Sequence, residues 1–433
     1  MGLKAGSLRF NTDLSQLELW DGNQWTGILS RAPEFETGGT RGVWAGGSTE
    51  PPGQVFDIMD FVNIQTTGNL SDFGDLPSSR QESHMGTVAS TVRGFLCGGD
   101  GNVNNIYAWV HASTGSASDY ADMNLNVKQG FGLSNSVRGV IGAGYVSPSY
   151  NGSISYFTMA SQATAVDYGD FTPATGDNKH YAGGGMCDGT RGVIVRGYDG
   201  SNYRNTLEYI NVMTTGNPSD FGDLSSIHNT YTATNANGVR GIIAGGYTPS
   251  PSNYYNTIQF ITIQTLGNSQ DFGDLTTTRS YMQGCNSKTR CVWSAGLNQA
   301  PVATGMNTAD FIQMMSTGNA VDFGDLTDGE WAVNGCSNSI RGIFVGTTSP
   351  TRAAIESITI ATLGNSVKFG DRNYTEYALA AFADSNRAVF AGGSTVNTMD
   401  YVQIMTDGDA TDYGDLTVAR GRLDGCSNGH GGL

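Results

Sequence analysis

From residue 41 onward the chain alternates short apolar runs with glycine-rich polar turns, always in the same order. Each unit opens on an Arg, a small residue and an apolar run that stops at glycines: RGVWAGG, RGFLCGG, RGIIAGG, RAVFAGG. An apolar run of that length bounded by Gly-Gly reads as a buried strand ending in a tight turn. A loop of variable length and text follows. Then comes a second run rich in Ile, Val, Tyr and Thr, as in TLEYINVMT, TIQFITIQT and TMDYVQIMT. These side chains pack well on a pleated surface, so this too is a strand. The tripeptide TGN turns the chain, since Gly and Asn tolerate positive φ. DFGDL closes the unit, and a loosely conforming strand such as MQGCNSKT leads to the next Arg.

The aromatic of the closing phrase falls at Phe73, Tyr120, Tyr168, Phe221, Phe272, Phe323, Phe369 and Tyr413, with spacings of 44 to 53 residues. The Arg falls at 41, 93, 138, 191, 240, 290, 341 and 387, in strict alternation with it. Four short strands per unit, eight times over, is the signature of an all-β fold, a β-propeller. A β-solenoid is the runner-up, but its coils are usually shorter. A unit of this size cannot bury both faces of its sheet alone, whereas radial packing covers each blade with its neighbours. Eight blades are expected, with seven as the alternative if a degenerate unit is absorbed; the weakest is the second, with DYADM at 119–123. Either SRAPEFETGGTRG (30–42) or ARGRLDGCSNGHGG (419–432) completes the blade shared by the two ends.

Composition fits this reading. Glycine is abundant at 61 residues, charged residues make up only 14 % and aromatics reach 10 %, unlike a disordered chain. The net charge of −16 argues against nucleic acid or an anionic membrane as partner. Fifteen of the 39 acidic residues lie in the repeated D-[FY]-[GA]-D and K-F-G-D tetrads, so the acidity is largely part of the repeat. No apolar run approaches the ~20 residues of a membrane-spanning helix. MGLKAGSLRF has neither the apolar core of a signal peptide nor the Ser or Thr at position 6 that myristoylation uses.

The repeated Asp residues do not read as calcium sites, because one tetrad offers two side chains and calcium takes six to eight oxygens. They are expected to cap turn N–H groups and to pair with an anchor Arg, with the aromatic packed between blades. Of six cysteines, Cys187, Cys285, Cys336 and Cys426 hold equivalent positions in different units. Such positions are generally too far apart to bridge, so these are expected to be small buried thiols in a protein made in a reducing compartment. Cys285 and Cys291 are the one pair able to face each other across a hairpin. Catalysis has little support. His84, His111, His180, His228 and His430 lie in unlike contexts, and neither a nucleophile elbow nor a phosphate-cradling loop occurs. No metal or cofactor is expected, and the chain reads as a non-enzyme.

A phrase written in every blade is scaffold, so function is sought where the blades differ. The loops after the Gly-Gly strands read YVSPSYNGS, YDGSNYRN and YTPSPSNYYN in the third, fourth and fifth units. Tyr, Ser, Asn and Gly form the palette of adaptable recognition surfaces. Tyr145, Tyr150, Tyr198, Tyr203, Tyr247, Tyr254 and Tyr255 are therefore the candidate ligand-binding residues, on one rim. The competing reading makes them solvated loop tips folded back on the ring.

The Gly-Gly strand ends with a period near 50 resemble kelch repeats, though the kelch Tyr and Trp marks are replaced here by TGN…DFGDL. A closer resemblance, over residues 41–426, is to divergent repeats of virion structural proteins of tailed bacteriophages, marine and cyanobacterial ones especially. Independently, GSLRFNTDLSQLELWDGNQWTGI (6–28) reads as three short strands and is similar to a hairpin module of phage tail fibres. Its aromatics Phe10, Trp20 and Trp25 need a cover. The resemblance implies a small N-terminal attachment module over 1–30 and a kelch-like propeller over 31–433. It also implies a virion protein assembled in the host cytoplasm, with other virion proteins as partners and a homo-oligomer, such as a trimer, as its state. The favoured role is a tail-fibre or receptor-binding component that touches host-surface glycan or protein. The alternatives are a capsid- or tail-decorating protein that contacts only virion proteins, and a glycan-degrading enzyme.

Overall fold

In a computed structural model of the chain, the repeats form eight small antiparallel sheets set in a ring, an eight-bladed β-propeller. The structure describes residues 4–427 except 5, 12–15, 21, 23, 29–40, 50–52, 70, 81–86, 91, 100–102, 127–129, 136, 147–148, 172–183, 198–202, 226–232, 250–251, 288, 299–303, 331–333, 339, 346–351, 376–379, 385, 394–395 and 422. Blade 2 shows the plan: Thr87–Ala89, Arg93–Cys97, Asn105–Val110 and Ser118–Asp122, each strand antiparallel to the next. Blades 3 to 8 begin at Phe131, Gly184, Ala233, Gln283, Asn334 and Ala380. The first strand of every blade touches the first strands of its two neighbours, and these eight contacts close the ring around its axis.

Closure uses the far end of the chain. Blade 1 consists of Arg41–Ala45, Ile58–Asn63 and Ser71–Asp75, and its first strand is Asp424–Ser427, in register from Asp424 opposite Ala45 to Ser427 opposite Gly42. The 419–432 segment therefore supplies the shared strand, while residues 30–40 of the competing segment lie outside the described residues. Before it, Leu8–Asn11, Gln16–Trp20 and Trp25–Ile28 form a separate three-stranded meander.

Burial follows position in the blade. The second strands are buried on both faces, which is why they read as unbroken apolar runs. The fourth strand is an edge. Its aromatic points inward and its aspartates outward, as in Ser71–Asp75. Carboxylates along an open edge discourage pairing with another chain, which accounts physically for the acidic repeat. The inward ring meets an aromatic of its own third strand edge-to-face (Phe61–Phe73, Tyr209–Phe221 and Phe260–Phe272, 5.8–6.2 Å between centroids). It also packs on the neighbouring blade: Phe272 shares a cluster with Trp293, Ile312 and Met314.

The repeated phrase is a clasp between blades. The Gly267 N–H of blade 5 donates to the Phe221 carbonyl of blade 4 at 2.8 Å. Asn268 Oδ1 accepts from the Asp223 N–H at 3.0 Å. The same bond joins Gly318 to Phe272, Gly364 to Phe323, Gly408 to Phe369 and, across the closure, Gly68 to Tyr413. Asp220 Oδ1 accepts from the Gly222 N–H, the turn cap expected of the first aspartate. Gly273 shows why this position is glycine: its φ is +142°, and a Cβ would sit 2.5 Å from the backbone of Gly318 in the next blade.

The anchor arginines depart from expectation. They do not pair with the tetrad aspartates among the described residues. Arg191, Arg240 and Arg290 each stack on an aromatic of their own third strand at 4.3–4.7 Å. Their Nη1 atoms donate to the carbonyls of Ile263, Met314 and Ile360 in the following blade at 2.9–3.1 Å. Arg387 closes the ring in the same way, through Ile64 of blade 1 at 3.0 Å. A carbonyl fits because the carboxylates are out on the solvated edge, while this Arg lies half-buried beneath the turn.

A second polar set was missed in the sequence. In six blades the third-strand residue that pairs with the first residue of the tetrad is an acid or an amide and buried: Asp60, Glu208, Gln259, Asp310, Glu356 and Asp400. Asp310 accepts from Thr276 Oγ1 at 2.7 Å and pairs with Arg279 at 3.0 Å, both from blade 5. Asp60 is held the same way from blade 8 by Thr417 at 2.8 Å and Arg420 at 2.8 Å. Gln259 is the neutral version, accepting from Ser225 at 2.9 Å and Ser269 at 2.6 Å. The signal was present: Arg80, Arg279 and Arg420 each stand seven residues after the tetrad aromatic.

Candidate recognition surface

With the TGN turns, the tetrads and the anchors all spent on joining blades, the chemistry left to the ring lies at its two faces. The loops between second and third strands share one face, here called the rim. In blades 1, 5 and 8 their bases are locked: the second glycine of the pair donates to the carbonyl of the arginine after the tetrad, Gly47 to Arg80 at 2.8 Å, Gly246 to Arg279 at 3.0 Å and Gly393 to Arg420 at 3.3 Å. What stands above those bases differs from blade to blade.

In blade 3 the second and third strands run on as a long hairpin, Arg138–Val146 with Ser149–Thr158, and place Tyr145 directly opposite Tyr150. Their side chains lie outside the described set. Blade 5 carries a small hairpin, Tyr247–Pro249 with Ser252–Tyr254, in which Tyr247 faces Tyr254. These two rings are 4.7 Å apart and tilted by 42°. Tyr255 donates its N–H to the Gly246 carbonyl, and its hydroxyl lies 3.2 Å from Thr248 Oγ1. All three tyrosines are half-buried. Burial first, and Tyr247 second, push the Tyr254 phenol above its ordinary value, so it is a neutral hydroxyl at physiological pH. In blade 4 Tyr203 makes an isolated bridge at half burial, and Tyr198 lies outside the described residues.

The described candidates, Tyr145, Tyr150, Tyr203, Tyr247, Tyr254 and Tyr255, thus fall in the rim segments of three consecutive blades. Within blade 5 they touch, in a preformed aromatic pair flanked by Thr, Ser and Asn. Rigid aromatic area beside adaptable polar groups suits a sugar ring or a protein side chain. Blade 6 adds a feature missed in the sequence. Its fourth strand continues past the tetrad to Glu330, and its third strand starts early at Thr304. The clue was the text TDGEW where units 1, 5 and 8 have the Thr- or Ser-bearing lead-ins PSSR, TTTR and TVAR.

The proposed attachment aromatics are only partly in view. Trp20 and Trp25 are paired across strands with rings 5.5 Å apart, and the Arg9 guanidinium lies 4.3 Å above Trp25 while binding Glu18 at 2.7 Å. They cover one another in part, and the side chain of Phe10 lies outside the described set. Leu8 and Leu19 stay exposed on the other face of the meander.

A cavity of about 270 Å³ opens between blades 2 and 3, lined among others by Arg93, Trp109, Tyr120, Ser116 and Gln162. Its cause is local. Blade 3 has no TGN turn, and Gln162 Nε2 reaches over instead to donate to the Asp119 carbonyl at 2.7 Å. The cavity is the space where a clasp is missing. Among the described residues no group of three or more His, Cys, Asp or Glu is placed to hold a metal ion. Of the histidines only His111 is described; it is buried, edge-on to Trp109. All six cysteines are free thiols, and burial pushes Cys285 and Cys336 up to about 12. Cys285 faces Val292 rather than Cys291 in the hairpin register.

No protein-family model matches the sequence, nor does any curated protein.

Proposed function

We propose that this is a non-enzymatic recognition protein, a tail-fibre or receptor-binding component of a tailed-phage virion, whose rim hairpins contact host-surface glycan or protein. The observation that carries the recognition role is the pair of non-repeating, tyrosine-bearing hairpins on blades 3 and 5, with Tyr203 of blade 4 between them, above a scaffold whose repeated polar groups are already engaged. The phage assignment rests on the resemblance of the repeats and of residues 6–28. In this reading the N-terminal meander, with Trp20, Trp25 and the exposed Leu8 and Leu19, joins the ring to other virion proteins.

Binding is read on a glycan array and on intact host cells, with the wild type beside Tyr247→Ala/Tyr254→Ala. The pair is half-buried on a hairpin outside the core, so the variant is expected to fold normally. Loss of one aromatic anchor pair at a recognition surface lowers affinity by roughly ten- to a hundredfold. Retained binding in the variant, or no binding by a correctly folded wild type, contradicts the proposal.

A further inference from the structure

The face opposite the rim, formed by the turns between first and second strands and between third and fourth strands, is the apolar side of the molecule. Of the exposed large apolar side chains among the described residues, only Leu125 lies on the rim side, and only Leu8 and Leu19 belong to the N-terminal meander. The rest sit at these turns or at the first residue of the fourth strand beside them. Six of them are brought together two by two. Val137 precedes the anchor of blade 3, whose Nη1 binds the Val212 carbonyl of blade 4, and Met213 follows at once. The same bond, Arg240 to the Met314 carbonyl and Arg341 to the Ile404 carbonyl, sets the turn of Val239 beside that of Met315 across blades 5 and 6 and the turn of Ile340 beside that of Met405 across blades 7 and 8. Asn237 and Asn338 lie 3.5 Å from the sulfurs of Met315 and Met405, which confirms that the two kinds of turn are side by side. At the intervening blade interfaces the equivalent contacts are polar: Gln264 with Asp188 and Gln65 with Asp384.

We infer that this turn face is a self-association surface on which a second copy of the chain docks face to face. Three observations select that occupant. The side chains on it are each about half exposed, roughly 50–100 Å² of apolar surface apiece. Together they offer on the order of 800 Å², the size of one side of a standard stable interface. The circumference is unavailable for self-contact, because the fourth strands line it with the tetrad aspartates of a chain whose net charge is −16. The anchor arginines at these turns are half-buried and engaged with carbonyls of the next blade, so what the annulus presents outward is mainly apolar and, as a two-fold interface requires, complementary to itself. Apart from those arginines, the charged groups on the face include Asp188, Asp407 and Asp409, and Asp407 is paired with Arg341 at 2.5 Å.

The inference does not depend on the recognition role of the rim. It is tested on the full chain by sedimentation equilibrium from 1 to 100 μM. The wild type is expected to dimerise, more tightly at high salt because the acidic circumferences are then screened. Met213→Lys/Met315→Lys/Met405→Lys sets like charges against one another and is expected to weaken the dimer at least a hundredfold, with unchanged circular dichroism. Hydrogen exchange on the wild type gives a second reading that needs no variant: the turns at 213–216, 315–318 and 405–408 gain protection as concentration rises. A wild type that stays monomeric at 100 μM overturns the inference. So does an oligomer, trimer included, that survives the three lysines and is dissolved by Leu8→Lys/Leu19→Lys.

Discussion

The pair Asp60–Arg420 fastens the last blade to the first, and it offers the sharpest test of how the ring is held. Both side chains are fully buried, 2.8 Å apart, and Arg420 Nε also donates to the Gly46 carbonyl at 2.8 Å. Burial pulls the Arg420 guanidinium below its ordinary value and Asp60 opposes that pull, as expected of a charge kept in the interior by its partner. Arg420→Met leaves the Asp60 carboxylate buried with only Thr417 to solvate it, a loss of about 3–5 kcal/mol. The chain itself supplies the compensating change. In blade 5 the same position is Gln259, met by Ser225 and Ser269, and the seventh residue after Phe221 is His228 rather than Arg. Asp60→Gln/Arg420→Met is therefore expected to recover all but ~1–2 kcal/mol, a coupling of at least 2 kcal/mol in the double-mutant cycle. Urea unfolding followed by tryptophan fluorescence reads this at the right place, because Trp44 of blade 1 stacks on Phe382 of blade 8 at 4.6 Å. With a urea slope of ~3 kcal/mol/M or more for a chain this long, the single variant lowers the midpoint by about 1 M. A single variant within 0.3 M of wild type, or a double variant no better than the single, refutes the assignment of closure to this pair.

Further outcomes follow from the same geometry. Gly273→Ala and Gly267→Ala share a φ near +140°, but only the first puts a Cβ against the next blade. Both are expected to pay backbone strain of ~1–3 kcal/mol, and Gly273→Ala a further ~1–3 kcal/mol for overpacking, read as a lower urea midpoint than its partner. Glu208 is buried beside Arg196 at 3.5 Å, and burial, outweighing that arginine, raises its carboxyl to about 7. A raised acid stabilises the fold below its unfolded value, so stability is expected to fall by about 3 kcal/mol as pH climbs from 4.5 through 7. Glu208→Gln should flatten that part of the pH–stability profile; an unchanged slope contradicts the assignment.

The blade count, the strand order within a blade and the scaffold nature of the repeated phrase were legible because each is a local text repeated eight times. A period near 50, Gly-Gly strand ends and an inward aromatic between outward aspartates all express which side of a strand meets solvent. The destination of the anchor arginines was not legible. An Arg beside many Asp suggests ion pairs, yet the aspartates face water on an edge strand and the guanidinium lies under a turn, where a carbonyl of the next blade is the nearest acceptor. The buried set around Asp60 and Asp310 was hidden for a different reason. Its members change identity from blade to blade, so no single letter repeats. Their common property, burial at the third-strand position opposite the first tetrad residue, exists only once neighbouring blades are in contact. The rim tyrosines were legible as a group of unlike loops, whereas the facing of Tyr247 and Tyr254 depends on a hairpin register that the sequence PSPSN does not fix.

The central claim is that the repeated phrase holds the ring while the unlike rim hairpins of blades 3 and 5 do the recognising. A direct comparison of host-surface binding by three proteins tests it: the wild type, Tyr247→Ala/Tyr254→Ala, and Asp271→Asn/Asp274→Asn in the outer strand of the same blade. The account predicts that the tyrosine variant loses binding by at least tenfold while the aspartate variant keeps it. Binding that follows the aspartates and ignores the tyrosines would contradict it.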